Sequence, residues 1–131
     1  MAPEVRRAAE AFALTLGSVE DAKAALVTAV RSGRAPGAPL AEALAGFEMG
    51  LADADASMPA WRVEQVEDAW AACRAGLDEA RARAEAFRLG EHPPEIFEQL
   101  IAVMEDLMDP LDPFEAAAAA FDALGLRVSG R

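Results

Sequence analysis

Residues 59–89 read PAWRVEQVEDAWAACRAGLDEARARAEAFRL. Within this stretch Val63, Val66, Trp70, Cys73, Leu77, Ala80, Ala84 and Phe87 recur at alternating spacings of three and four, which lines them up as a heptad seam on one stripe of an α-helix. Pro59 suits the first turn of that helix and Ser57 can cap it. The pattern predicts a helix over 59–89, about 45 Å long at ~1.5 Å per residue, and hence the spine of a bundle. Arg62, Arg74, Arg81, Arg83 and Arg88 flank the seam in a chain with only 12 basic residues, so acidic neighbours are expected to meet them.

Upstream of the spine, Leu40, Leu44, Phe47 and Leu51 predict a helix over 39–51, followed by an acidic link at 53–57. Gly46 and Gly50 each weaken a helix by roughly 1 kcal/mol relative to alanine, and their presence suggests close helix contact. The proline- and glycine-containing stretch 33–39 reads as a loop. Nearer the N-terminus, Pro3, Val5, Ala9, Phe12 and Leu16 mark a helix that Gly17 is expected to stop. Ser18-Val19-Glu20-Asp21, similar to a capping box, then opens a second one through Val19, Ala22, Leu26, Ala29 and Val30.

Downstream, Gly90 to Pro94 forms a turn because paired prolines keep the residues before them out of the α region. Ile96, Phe97, Leu100, Ile101, Val103, Met104, Leu107 and Met108 then give a helix whose apolar face is wider than a one-sided surface helix requires. Its polar side carries Glu95, Glu98, Glu105, Asp106 and Asp109, a counterpart to the arginines of the spine. Asp109-Pro110 breaks it, and Asp112-Pro113-Phe114-Glu115 starts a last helix bearing Phe114, Phe121 and Leu124, which Gly125 ends. No segment alternates with period two. The expected fold is all-α: an up-and-down-like bundle of five to six helices around the long one, forming a single domain over 1–131.

Composition agrees. The chain is 53% hydrophobic with no tyrosine, and much of that fraction is alanine, the strongest helix former. Its apolar runs fall well short of the roughly 18 to 20 residues a membrane-spanning helix needs. The start of the chain shows no signal-peptide core, and the one cysteine precludes an intrachain disulfide, so a cytoplasmic location is expected. A formal net charge of −11 repels phosphate backbones and anionic lipid surfaces. A nucleic-acid-associated regulator would have to gather Arg6, Arg7, Lys23, Arg31 and Arg34 into one patch.

Catalytic chemistry is poorly supplied. The single histidine, His92, precedes two prolines, the single cysteine, Cys73, lies on the seam, and no glycine-rich phosphate loop is present. A di-iron bundle needs two histidines. The spaced Asp106, Asp109 and Asp112 lack the glycine and closing glutamate of a calcium loop. The carboxylate option that remains is Glu64 with Glu67 and Asp106 with Asp109, each pair three apart and so on one face of its helix. Facing pairs of this kind resemble those of the all-helical nucleotide pyrophosphohydrolases, and the resemblance implies Mg²⁺ held by these four residues and a triphosphate substrate. The chain departs from that pattern in lacking a further acidic residue in the first pair and a nearby lysine, Lys23 being distant in sequence.

Surfaces are the stronger signal. The long seam and the broad face carrying Ile96, Phe97, Leu100, Ile101, Met104 and Met108 offer more apolar surface than short alanine-rich helices can cover. They point to a non-enzymatic interaction module (an adaptor, regulator or accessory subunit) without a cofactor, binding a protein partner or a second copy of itself as a two-fold dimer.

Overall fold

The computed structural model describes residues 2–31, 38–91, 99–126 and 128. They are all-helical, with no strand among them: α1 (Pro3–Arg31), α2 (Ala38–Ser57), α3 (Glu67–Leu89), α4 (Leu100–Met108) and α5 (Pro113–Ala123), with one-turn 3₁₀ segments at Met58–Trp61, Glu64–Val66 and Asp109–Leu111. The last two helices are two halves of one bent rod, because Met108, Asp109 and Asp112 all keep right-handed helical dihedrals across the break. The described residues therefore form a bundle of four rods, not the five to six expected.

The first correction concerns α1, which runs unbroken through Gly17 for 29 residues and is the longest helix. Val5, Ala8, Phe12, Leu16, Val19, Ala22 and Leu26 are all buried, at spacings of three and four that never lose phase across the glycine. A penalty near 1 kcal/mol for one glycine cannot offset burial of that whole stripe. The Ser18 hydroxyl, expected to cap a new helix, instead donates to the Leu14 carbonyl one turn back at 3.2 Å. The same phase argument extends α2 through the acidic link to Ser57: Leu44, Phe47, Leu51, Ala54 and Met58 are buried in one stripe while Asp53 faces out. α1 and α2 pack closely where glycine was expected to allow it. A Cβ at Gly46 would lie 3.1 Å from that of Ala25, and one at Gly50 would lie 2.7 Å from that of Ala22.

The second correction concerns the spine, which starts at Glu67 and not near 59. Every seam residue is nevertheless in place, with Val66, Trp70, Cys73, Leu77, Ala80 and Ala84 buried and Val63 and Phe87 packed against the core. Trp61 explains the shorter helix. In a continuous helix it would point roughly 180° away from Val63, Val66 and Trp70, into water. Two 3₁₀ turns, separated by extended dihedrals at Val63, let Trp61 and the seam face inward together. Ser57 does not cap: its hydroxyl bonds those of Thr15 and the Ala54 carbonyl.

The core is one cluster drawn from every rod. At its centre Phe12 meets Trp61 edge-on at 4.7 Å between ring centroids and Phe121 at 5.1 Å. The bent rod crosses α3 at Gly76, where a Cβ would fall 2.1 Å from the Pro110 carbonyl oxygen. α5 closes on Gly125 at φ +83°, with the Leu126 amide reaching the Phe121 carbonyl at 3.0 Å, a Schellman-type cap. No helix among the described residues is long and apolar enough to cross a membrane.

Candidate functional site: the α4 surface

The arginines of α3 find their partners within the chain, mostly on α2 and on α3 itself. Arg81 pairs with Asp55 at 3.2 Å, Arg74 pairs with both Asp55 and Asp78, and Arg88 pairs with Glu48 at 3.2 Å. Arg62 forks onto Glu67 and lies 4.2 Å over the Trp70 ring, while the Trp70 indole donates to the Met58 carbonyl at 2.7 Å. These contacts fasten the irregular 58–66 linker to the start of α3.

Glu95 and Glu98 lie outside the described residues; among those described, only Arg83 answers the acidic side of α4, and the reason lies in the sequence. Pro110 has no amide hydrogen, so the Asp106 carbonyl, four residues earlier, loses its helical donor. Arg83 supplies one at 2.8 Å, while also reaching the Asp106 carboxylate at 3.3 Å and Glu79 at 2.9 Å. Its pKa is raised by the Glu79 hydrogen bond first, against some desolvation, and then by the fields of Asp106, Glu79 and Asp109.

Of the residues expected at an interface, Ile96 and Phe97 lie outside the described residues. Leu100 and Met104 are half-buried and turn toward a small internal gap shared with Leu26, Val30 and Leu44. Met108 is also half-buried, whereas Ile101 is 60% exposed. Ile101, Met104 and Met108 share one flank of α4. On its other flank an open groove of about 460 Å³ runs between α3 and α4, lined by Ala86, Phe87, Ala102, Val103 and Leu107, with Arg83 and Asp106 at its rim. Ala86 and Ala102 carry no signal in the sequence, since an exposed alanine on a helix reads as filling.

The alternative carboxylate set is not assembled on two helix faces. Glu64 lies in the 3₁₀ turn before α3, Glu67 is held by Arg62, Asp106 is held by Arg83, and Asp109 lies past the end of α4. Among the described residues no group of three or more His, Cys, Asp and Glu could hold a metal ion, which covers Asp106, Asp109 and Asp112 as well; His92 lies outside them. The basic set is also dispersed: on the unbroken α1, Arg6 and Lys23 stand ~25 Å apart along the axis at about 1.5 Å per residue. Arg34 and the Arg31 side chain lie outside the described residues. A charged groove between α2 and α3, lined by Glu48, Asp78, Arg81, Glu85 and Arg88, has both guanidiniums engaged in ion pairs.

Cys73 lies at the centre of the seam, and burial pushes its thiol up to about 12. The thiolate fraction at pH 8 is then on the order of 10⁻⁴. The folded chain should resist Ellman's reagent at that pH, whereas the chain unfolded in guanidinium should react at once. Rapid modification of the folded chain would show that α3 opens readily.

Comparison with protein-family models, with curated proteins and with solved structures gives no match to this chain.

Proposed function

We propose that the chain is a non-enzymatic helical interaction module, an adaptor, regulator or accessory subunit, that binds another protein through the surface of α4. The observation that carries this reading is the state of that helix. Leu107 alone is fully buried, Ile101 stands 60% exposed, and Leu100, Val103, Met104 and Met108 are only half-covered. A nine-residue helix is marginal in water without packing on its apolar side. Its outward apolar surface contributes little to the bundle and gains by being covered. The methionines suit such a surface because their flexible side chains adapt to a partner.

The test pairs Ile101→Asp with a mass measurement and with affinity purification from the native cell. An exposed position should tolerate the substitution to within about 0.5 kcal/mol of stability. The expected result is a specific partner that co-purifies with the wild-type chain and is lost with Ile101→Asp. Light scattering separates the two kinds of partner, since a dimer that Ile101→Asp dissociates identifies a second copy. Recovery of the same partners with both Ile101→Asp and Ala102→Arg would overturn the reading.

A further inference from the structure

Resting on that reading, we propose that the groove between α3 and α4 receives a basic amphipathic helix of another protein, apolar side chains inward and Lys or Arg side chains over the rim. The shape comes first. The groove is apolar along its floor, about 460 Å³ in volume and open along its length, so it cannot enclose most of a small ligand's surface as ligand pockets do. It suits a row of side chains from one helix face, the way amphipathic helices settle between two others.

Charge then selects the occupant. Glu79 and Asp106 contact Arg83 directly, and Asp109 adds to the field there. Arg83 and Asp106, the two charges that line the groove, cancel, and Glu79 and Asp109 beside them bring the surroundings of that end to near −2. Arg83 cannot turn outward to neutralise an incoming anion without abandoning the Asp106 carbonyl that Pro110 leaves without a donor. A second copy of the chain is disfavoured as occupant, since it carries the same rim and a net charge of −11, and like charges brought together at an interface oppose docking. A cationic helix is drawn in by both the rim and the whole chain.

The probe is a pair of fluorescent helical peptides of about 18 residues, some five turns, with the same leucine face flanked by lysine in one and glutamate in the other. The lysine peptide should bind the full chain at least about tenfold more tightly at low salt, with the advantage shrinking as salt is added. Asp106→Asn with Asp109→Asn should remove most of that preference. Ala102→Arg, at an exposed helical position, should abolish binding of both peptides while leaving the thermal unfolding of the chain unchanged. Equal binding of the two peptides would overturn the charge assignment yet leave helix docking at α4 intact. Binding that survives Ala102→Arg, or no binding of either peptide, would overturn the groove as the site. A partner still captured through Ile101 in that case would show the broader reading standing without this one.

Discussion

Valine at position 76 should unfold the bundle or leave it only marginally stable. The Cβ of any side chain there would fall 2.1 Å from the Pro110 carbonyl oxygen and 3.3 Å from its carbon. The obstacle is backbone, held within the one-turn segment that joins α4 to α5, and it cannot swing aside as the end of a flexible side chain can. Even alanine requires α3 and the Asp109–Leu111 turn to part by about 1 Å, which would loosen Leu107, Leu111 and Phe114, all buried. Overpacking of this kind costs typically about 1–3 kcal/mol and more against rigid backbone, outweighing the roughly 1 kcal/mol that alanine gains over glycine in a helix. Gly76→Ala should lower stability by about 1–3 kcal/mol in urea or thermal unfolding, and Gly76→Val by more. Gly46→Ala is the control, since its nearest contact is the Ala25 methyl at 3.1 Å and its cost should lie within about 0.5 kcal/mol of zero. Equal effects at the two positions would mean that the bent rod does not press on α3 at Gly76.

Which of these features the sequence disclosed depends on whether periodicity or punctuation carried them. The seam from Val63 to Phe87 was legible, and every member of it faces the core, because eight apolar positions in phase outweigh any local preference. Gly17, Ser18 and the Asp53–Ser57 stretch were misread as boundaries, although apolar spacing stays in phase across both. Each is a weak stop that a buried stripe overrides. Trp61 was the reverse case. It lies off the seam, and burying so large a side chain was enough to break the helix that the seam alone would have continued. At the α4 surface, the exposure of Ile101 agrees with the width of the apolar face, whereas the acidic side, expected to answer the arginines of the spine, meets only Arg83 among the described residues, the others pairing on α2, on α3 or at its start. The groove was not legible, because its floor joins residues from two helices whose relative placement depends on Gly76, Pro110 and Arg83 acting together.

The aromatic centre of the bundle provides the other large effect and a test of how its two tryptophans differ. Trp61→Ala removes a fully buried indole that touches Phe12, Trp70 and Phe121. It also removes the side chain that turns the 58–66 linker inward. A loss of about 3–5 kcal/mol is expected, a large part of the total stability of a domain this size. Phenylalanine separates packing from hydrogen bonding. The Trp70 indole N–H donates to the Met58 carbonyl at 2.7 Å, whereas the buried Trp61 N–H has no acceptor among the described residues. Trp70→Phe leaves that carbonyl without its donor and takes away the ring face beneath Arg62. Trp61→Phe gives up a comparable ring area but relieves an unsatisfied polar group, whose burial costs about 1–3 kcal/mol. Trp61→Phe should therefore be the milder change by about 1–2 kcal/mol, although Trp61 is the more deeply buried of the two. If instead Trp61→Phe proves as costly as Trp61→Ala, the indole N–H has an acceptor in solution, and the linker is held by that bond as well as by the fit of the ring between Phe12 and Phe121.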